Sequence, residues 1–314
     1  MDIPDLTIAI TSMGDMKFLD PCLTSIYSFA ADLKLELIVV AYKCDRSRLV
    51  ELKHKFSPVQ FVEIGKLNGY SENMNVALRQ AQGKYSMVLN DDTYFSDNCL
   101  QTLVETFKEK PDAAFVSPVI LNFDGTVQMY GRPGLGIWEW FCAASKLNRL
   151  FNRSVPSHDS RGEITITHCV SGACFVARSD VLKRLNYFDE YYFGTPDDAA
   201  LSTLAQRAGY KIYLNPRAHV YHYGSASAKA VHAALIPAYK QGEYYYFRTY
   251  YGAPAAFVVR SLSLAIFILK AAYWKLKKAD DRSHAMLHAS LNGARFAFKD
   301  LRPKDVFERL SRGL

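Results

Sequence analysis

The sequence lacks the short motifs that mark several large classes of protein. None of its six cysteines forms a Cys-x-x-Cys pair, which argues against structural zinc and against dithiol redox chemistry. No Gly-x-Gly-x-x-Gly segment follows a predicted strand, so a nicotinamide-dependent dehydrogenase is not expected. There is no internal repeat, no low-complexity tract and no signal-peptide pattern at the amino terminus. We therefore expect buried, reduced thiols and a protein body that stays in the cytoplasm.

Positive charge is scarce in most of the chain and concentrated near its end. The 314 residues carry a net charge of +7. Residues 229–314 contain 15 Lys and Arg against 6 Asp and Glu, a surplus of nine, which leaves residues 1–228 at about −2. This distribution argues against nucleic acid as a partner, because a nucleic-acid-binding domain carries positive charge on its reading surface. We expect one large domain followed by a cationic tail.

Strand and helix patterns alternate over the first 120 residues, which is typical of an α/β protein with a parallel sheet. The predicted strands are 6–11, 35–40, 59–64, 85–89 and 114–119. The predicted helices between them are 17–29, 46–56, 71–81 and 100–109. Ligands of such sheets bind at the edge where the parallel strands have their carboxyl ends.

The pattern is less regular after residue 120. Turn signals near residues 124 and 131–134 predict a hairpin, and residues 134–163 form a long stretch that ends in a polar loop at 154–162. Later expected elements are a strand at 164–177, helices at 179–185 and 197–209, and short strands at 212–215 and 219–223. From residue 230 the pattern is helical.

Two adjacent aspartates follow the fourth predicted strand, in the segment LNDDT at 89–93. Carboxylates at the carboxyl edge of a parallel sheet form a hard-oxygen site, which suits Mg²⁺ or Mn²⁺ bridging two phosphates. Most Asn-Asp-Asp triplets are solvated turns, and the triplet alone favours that interpretation. The surrounding motifs decide between the two.

GYSENMN at 69–75 and GKY at 83–85 precede LNDDT in the sequence. Together these three segments resemble the donor-binding half of the family 2 glycosyltransferases, which have the GT-A fold. The acceptor half is similar to SGACFVAR at 171–178. In the family's order there follow FDE at 188–190, DD at 197–198, AGY at 208–210 and the segment 216–222. The resemblance covers residues 5–227, and the sequence looks most like the bacterial rhamnosyltransferase-like branch.

The resemblance implies an inverting, metal-dependent glycosyltransferase that moves a hexose or deoxyhexose from a nucleotide diphosphate sugar to a hydroxyl of a glycan or lipid-linked acceptor. Such a reaction belongs to cell-surface polysaccharide synthesis. The implied fold is α/β: a GT-A domain at 1–228, with a Rossmann-like, mostly parallel central sheet flanked by helices, and a helical tail at 229–314. Residues 1–120 are the implied donor half and residues 121–228 the acceptor half.

The family's site residues correspond to particular positions of this chain. The implied ligands of Mn²⁺ or Mg²⁺ are Asp92, Asp91 and His222, although the first acid of the family's Asp-x-Asp motif is Asn90 here. A half-buried strand histidine is the alternative for His222. The implied donor contacts are Thr11, Asp45, Gly69, Asn73, Asn75, Asn90 and Asp91, and the implied acceptor contacts are Ser171 and Gly172.

The nucleotide stays open, because the family's base-recognising acid has no counterpart at its usual place after the second strand. Either Asp45, further along that loop, replaces it or the base is recognised differently, so UDP, dTDP and GDP are all compatible.

Asp197 and Asp198 correspond to the family's acidic pair at the start of a helix. An inverting transfer needs a carboxylate that accepts the proton of the attacking hydroxyl, and Asp198 is the expected general base, with Asp197 as the alternative. A purely structural interpretation also exists, since Pro196 and two acids are typical of a helix amino terminus. Ala200 stands where a further acid is common in the family.

The tail combines aromatic residues at 244–251, an apolar run at 255–273 and several lysines. The apolar run is short for a membrane span and contains Arg260, so we expect a helix lying in the interface of an anionic bilayer. The predicted location is the cytoplasmic face of the inner membrane. A helical subdomain that packs on the body or forms a homodimer is the alternative.

Two other functions stay open from the sequence. A nucleotidyltransferase would share the sheet and the metal carboxylates, but the loop at 11–15 has too few glycines and too little positive charge for one. A non-catalytic scaffold of a polysaccharide assembly complex is favoured only by Asn90 and Ala200.

Overall fold

The computed structural model describes residues 3–14, 16–30, 32–145, 162–224, 231–277 and 280–311. The chain divides into two compact units. The first comprises residues 1–134, 154–189 and 198–227, and the second comprises residues 135–153, 190–197 and 228–314.

The first unit is built on one sheet, whose strands alternate with helices along the chain. The strands are β1 (Leu6–Met13), β2 (Leu35–Tyr42), β3 (Gln60–Ile64), β4 (Tyr85–Asn90), β5 (Thr93–Tyr94), β6 (Ala113–Leu121), β7 (Val127–Met129), β8 (Thr165–Thr167), β9 (Cys174–Arg178) and β10 (Lys211–His222). Their order is β3-β2-β1-β4-β9-β6-β10-β5, with β7 paired to β6 and β8 paired to β10.

Helices lie between these strands in the sequence, and others make up most of the second unit. The helices up to residue 207 are α1 (Leu19–Ser28), α2 (Arg46–Lys55), α3 (Tyr70–Leu78), α4 (Cys99–Glu109), α5 (Ile137–Ser145), α6 (Ser179–Arg184) and α7 (Asp197–Arg207). The later helices are α8 (His232–Tyr251), α9 (Ala253–Leu276), α10 (Asp281–Phe296) and α11 (Pro303–Ser311).

The central strands β1 and β4 are apolar almost throughout because both faces of the sheet are covered. Ile8 and Ile10 of β1 pack into one core with residues of α1 and α4. Ala9 and Val88 lie in a second core with residues of α3 and α6. Each fully buried large apolar side chain stabilises the fold by roughly 1.5–3 kcal/mol. Two-sided burial is typical of parallel sheets, in which the strands read as continuous apolar runs.

The expected mostly parallel sheet flanked by helices is confirmed. Strands β3, β2, β1 and β4 are parallel neighbours, as are β6 and β10. Strand β9 lies between β4 and β6 and runs antiparallel to both. The polypeptide therefore adds an antiparallel strand to the middle of a sheet that is otherwise mostly parallel.

Three element predictions were wrong in detail. The strand expected at 164–177 is two strands, because residues 168–173 leave the sheet and form a turn. The two strands expected at 212–215 and 219–223 are the single strand β10, whose pairing with β6 shifts register between Asn215 and His219. Pro216, which has no N–H to donate, lies within that shift and accounts for the break in the sequence pattern.

Helix α5 lies in the stretch 134–163, where no element was predicted. The polar loop predicted at 154–162 lies outside the described residues except for Gly162.

The aromatic run in the tail belongs to the core of the second unit. Tyr244, Tyr246 and Phe247 are fully buried. The expectation that this run contributes to a membrane-facing surface is therefore wrong for these three side chains. Aromatic rings bury large apolar areas, which makes them effective at holding a small helical unit together.

At Gly83, two residues before β4, the backbone lies very close to β1. A Cβ atom at this position would lie 2.6 Å from the Thr7 backbone nitrogen and 2.9 Å from the Tyr85 carbonyl oxygen. We predict that Gly83→Ala lowers the free energy of unfolding by about 1–3 kcal/mol, the usual cost of overpacking a core. Gly65→Ala is the control, because a Cβ there meets nothing within 4 Å. Equal unfolding midpoints in denaturant for the two variants would contradict this prediction.

Candidate active site

The carboxyl end of β4 and the end of β10 are held together by backbone hydrogen bonds around Asp92. Strand β5 pairs with β10 so that Thr93 lies opposite His222. The Asp92 carbonyl oxygen accepts a hydrogen bond from the N–H of Tyr223 at 2.9 Å, and the Asp92 side-chain Oδ2 accepts one from the N–H of Gly224 at 3.1 Å. These bonds place His222 Nε2 3.2 Å from Asp92 Oδ1.

Gln128 determines which nitrogen of His222 faces the carboxylate. The Gln128 Nε2 donates to Asn122 Oδ1 at 3.0 Å and to the His222 carbonyl oxygen at 3.1 Å, which fixes the orientation of the amide. Its Oε1 lies 2.7 Å from His222 Nδ1 and accepts that hydrogen bond. In the neutral imidazole, Nε2 then carries a lone pair directed at Asp92 Oδ1, so the two acceptors require a proton or a cation between them.

Asp91 is positioned from the neighbouring strand β1. Ser12 Oγ donates to Asp91 Oδ2 at 2.5 Å. Strands β1 and β4 are in register, with Thr11 opposite Asn90. Asn90 Nδ2 lies 3.5 Å from His222 Nε2. The strand ends therefore bring Asn90, Asp91, Asp92 and His222 together at the carboxyl edge of the sheet.

The two cysteines beside this edge do not contribute thiolates. Burial raises the pKa of the Cys22 thiol to about 12, and the nearby charges of Asp91 and Asp92 raise it as well. Burial, with a smaller contribution from Asp91, raises the pKa of Cys44 to about 11. Both thiols are therefore protonated at neutral pH, which leaves oxygen and imidazole nitrogen as the ligands at the site.

These ligands fit Mn²⁺ or Mg²⁺. Carboxylate oxygens are the ligands that both cations prefer, and an imidazole nitrogen beside them suits the softer Mn²⁺ better than Mg²⁺. Among the described residues, no group of three or more His, Cys, Asp or Glu side chains is arranged to hold a metal ion by itself. A cation at Asp92 and His222 would therefore take its remaining ligands from a phosphate-bearing substrate and from water.

The turn at 171–173 links this edge to the acidic residue at the start of α7. The Ala173 carbonyl oxygen accepts a hydrogen bond from the N–H of Asn90 at 2.9 Å. The Gly172 carbonyl oxygen accepts one from the hydroxyl of Tyr70 at 2.7 Å. On its other side, the Gly172 N–H donates to Asp198 Oδ2 at 3.4 Å. Asn90 bonds to Ala173 and Asp198 bonds to the adjacent Gly172, so the turn connects the two side chains' positions.

Arg132 holds the Asp198 carboxylate in place. The Arg132 guanidinium forms an ion pair with Asp198 Oδ2 and donates to the Val170 carbonyl oxygen at 3.1 Å. The Asp198 side chain keeps 14% of its surface exposed, so one side of it is open to solvent. The carboxylate is both oriented and accessible.

Asp197 has different surroundings. It is buried. Burial and the charge of Asp197 together raise the pKa of Tyr239 to about 12. Asp197 is therefore close enough to the half-buried Tyr239 phenol of its own unit to act on it electrostatically, whereas Asp198 bonds to the turn at 171–173.

Asp45 and Gly69, two of the predicted donor contacts, each form hydrogen bonds at the start of a helix. Asp45 caps α2, accepting hydrogen bonds from Arg48 N at 2.8 Å and Ser47 Oγ at 2.6 Å, and these bonds lower the pKa of Asp45. Gly69 is the residue before α3, and its N–H donates to Glu72 at 2.8 Å. The exposed Asp45 carboxylate lies in the loop after β2, as expected, but its cap role is sufficient to explain it.

Two of the three asparagines predicted to contact the donor, Asn73 and Asn75, belong to α3 and bond to other parts of the protein. Asn75 is fully buried, and its amide bonds both ways to the backbone of Phe188, at 2.9 and 3.0 Å. The prediction of a donor contact is therefore wrong for Asn75, which instead fastens the segment around residue 188 to α3. Asn73 is nearly buried, and its Oδ1 accepts a hydrogen bond from Asn68 at 3.0 Å.

Sequence reasoning missed Ser12, Gln128 and Arg132. Ser12 follows Thr11 at a strand end, so its position was predictable, but no motif marked it. Gln128 and Arg132 come from the segment 122–134, for which the sequence predicted a hairpin but no functional side chain.

A family model described as glycosyltransferase-like family 2 matches residues 4–236 of the chain. No curated protein matches the chain.

Several solved structures have the same fold. The mannosyltransferase PcManGT from Pyrobaculum calidifontis, in complex with GDP-Man and Mn²⁺, is 15% identical with a TM-score of 0.55, covering 96% of this chain and 88% of its own. GalNAc-T7 with UDP, GalNAc and Mn²⁺ is 10% identical with a TM-score of 0.56, covering 96% and 57%. Residues 1–349 of S. aureus TarS are 14% identical with a TM-score of 0.50, covering 94% and 72%. The chain therefore has the GT-A fold.

We predict that Gln128→Ala weakens the apparent affinity for Mn²⁺ by about 10- to 100-fold, the usual effect of removing the partner that orients a histidine ligand. The measurement is an Mn²⁺ titration of nucleotide-sugar turnover. Gln60→Ala is the matched control, since Gln60 is an exposed strand glutamine whose side chain donates to Gln80 Oε1. An unchanged Mn²⁺ requirement in Gln128→Ala would show that His222 needs no orienting partner.

Proposed function

The chain belongs to the glycosyltransferase 2-like family, and on this premise we propose that it transfers a sugar from a nucleotide diphosphate sugar to an acceptor hydroxyl, with inversion at the anomeric carbon. The observation that carries the proposal is the contact of Asp92 with His222 at the carboxyl edge of the sheet, 3.2 Å apart, with Asp91 beside it. This is where ligands of α/β sheets bind.

The donor is proposed to bind over this edge with Mn²⁺ or Mg²⁺. Two proteins of the same fold are known with a nucleotide or nucleotide sugar and Mn²⁺, namely PcManGT with GDP-Man and GalNAc-T7 with UDP. Asp92, His222 and Asp91 would hold the metal, and Thr11, Asn73 and Asn90 remain the proposed donor contacts. The metal, when bound, supplies positive charge that stabilises the departing diphosphate.

Asp198 is proposed to be the general base. As the acceptor oxygen attacks the anomeric carbon, its proton passes to an Asp198 carboxylate oxygen. The bond from the anomeric carbon to the β-phosphate oxygen breaks, and the nucleoside diphosphate leaves with the bonding electrons. Attack from the side opposite the leaving group inverts the configuration, so the proposed reaction needs no covalent intermediate.

The environment of Asp198 supports this role better than that of Asp197. Asp198 bonds to Gly172, which with Ser171 is a proposed acceptor contact, and Arg132 orients it. Asp197 is more deeply buried. A positioned carboxylate contributes most when its direction toward the substrate is fixed.

The acceptor is proposed to be a glycan, lipid-linked, in the assembly of a cell-surface polysaccharide, and the sugar a hexose or deoxyhexose as in the rhamnosyltransferase-like branch. Support comes from the motif order at 171–222 and from the basic tail, and the proposed location of the reaction is the cytoplasmic face of the inner membrane. A non-catalytic scaffold is the second candidate, favoured by Asn90 and Ala200, both of which replace acids common in the family.

Turnover of nucleotide sugars separates the two candidates. We predict that the purified chain releases nucleoside diphosphate from at least one member of a UDP-, dTDP- and GDP-sugar panel in the presence of Mn²⁺, and that EDTA abolishes the release. No release from any donor, with and without acceptor glycans, would favour the scaffold. Release that EDTA leaves unchanged would refute the metal assignment while keeping the transferase.

The base prediction compares two neighbouring variants. Asp198→Asn keeps the size of the side chain but removes the proton acceptor, so the transfer rate should fall by about 10²–10⁴-fold while donor affinity changes little. Asp197→Asn is the control and should retain most of the activity. The reverse result would assign the base to Asp197, and full activity in both variants would exclude either aspartate from that role. Rates and donor binding are measured separately, by transfer kinetics and by calorimetry.

A further inference from the structure

Helix α9 has an apolar face that none of the described residues of its own unit covers. Its members are exposed side chains at helical spacing: Phe257, Val258, Ile268, Leu269, Tyr273 and Leu276. Leu269 is 71% exposed and Leu276 is 88% exposed. Over 24 residues the helix is long and apolar enough to cross a membrane by length and composition, contrary to the expectation of a short run, and only 22% of its most apolar window is buried.

The opposite face of α9 is packed against protein. Its buried residues are Ala256, Val259, Ser263, Phe267 and Ala271. The Phe267 ring lies against Gly293 of α10, where an added Cβ would come within 2.4 Å of it. Arg260, which the sequence analysis placed in the middle of the apolar run, points to this side. It donates to the Ala297 carbonyl oxygen at 2.9 Å and forms an ion pair with Asp300.

Positive charge lies at the carboxyl end of the apolar face. Lys275 and Lys277 are exposed there. Lys277 Nζ lies 5.3 Å from the centre of the Tyr273 ring, and the Trp274 ring packs against Tyr273 at 5.1 Å. Exposed aliphatic side chains beside aromatic rings and lysines match the layers of a bilayer surface, in which acyl chains, interfacial groups and anionic headgroups follow one another.

We propose that the apolar face of α9 is a membrane-binding surface that inserts side-on into the interface of an anionic bilayer. Exposed apolar patches of this extent on a folded unit mark sites of association, and the lysines at one end select a negatively charged partner. This inference does not depend on the transfer reaction, because vesicle binding needs neither donor nor acceptor.

The packing of α10 argues against a membrane span. Phe257, near the start of α9, contacts Phe298, just after the end of α10, and the two helices run alongside each other as a hairpin. Helix α10 carries the exposed residues Asp281, Arg282 and His288. A spanning α9 would draw the adjoining α10 toward hydrocarbon with it, where charged and polar side chains are strongly disfavoured. Insertion of one face leaves them in water.

The test is flotation of the full chain with vesicles of phosphatidylcholine and phosphatidylglycerol. We expect wild type to bind, Leu269→Glu to bind at least about tenfold more weakly, and Val50→Glu to bind as wild type does. Val50 is the matched control, an apolar side chain of the first unit that is 61% exposed. The double variant Lys275→Glu/Lys277→Glu should lose most of the binding, and raising the salt should weaken wild-type binding, since the Debye length is about 8 Å at physiological ionic strength.

Several results would overturn the proposal. Leu269→Glu that floats as well as wild type would show that the α9 face does not touch lipid. Wild type that resists extraction by alkaline carbonate would show that α9 spans the bilayer. Wild type that ignores vesicles and is a dimer that Leu269→Glu dissociates would make a second copy of the chain the occupant. Unchanged circular dichroism and thermal unfolding of each variant establish that it is folded.

Discussion

The contact between Asp92 and His222 depends on how two strand ends are brought together, and the rest of the site is arranged around it. Strand β10 is the last strand in the sequence, yet its final residues pair with β5, which comes directly after the turn that follows β4. The N–H groups of Tyr223 and Gly224 then bond to Asp92 itself. A carboxylate and an imidazole nitrogen this close need a cation or a proton between them, which makes the pair responsive to a divalent metal.

The antiparallel strand β9 gives the site its second half. Because β9 lies between β4 and β6, the turn that precedes it reaches the carboxyl edge next to Asn90. The same turn bonds to Asp198, so proposed metal ligands and proposed base are connected through residues 171–173 rather than through a flexible loop. A rigid connection of this kind suits a reaction in which acceptor and leaving group lie on opposite sides of one carbon atom.

Much of this arrangement could be predicted from the sequence, for reasons that are local. Strands β1 and β4 are continuous apolar runs, and the acids follow β4 directly, so both the sheet and the edge that carries the acids could be predicted. Gln128 and Arg132 could not be found in this way, because their roles come from partners 94 and 66 residues away in the sequence. Asn75 could not be judged from the sequence either. It is part of a motif that matches the family, but its buried amide bonds to the backbone of Phe188 and so has a structural role.

Composition alone could not show which residues of the tail are exposed. Its aromatic run and its apolar run looked alike as candidates for a membrane surface, and only packing distinguishes them. Tyr244, Tyr246 and Phe247 face the interior of the second unit, whereas Leu269 and Leu276 face outward. Arg260, which seemed to interrupt the apolar run, is on the packed side of α9, so the outward face is uninterrupted.

The central claim is that Asp92 and His222 form a divalent-cation site at the carboxyl edge of the sheet. Binding of Mn²⁺ in the presence of UDP, dTDP or GDP, followed by electron paramagnetic resonance of the free ion, tests it without requiring turnover. The account predicts that wild type binds Mn²⁺ with at least one of these nucleotides and that Asp92→Ala and His222→Ala each weaken binding by about tenfold or more. Mn²⁺ binding that is the same in wild type and both variants would contradict it.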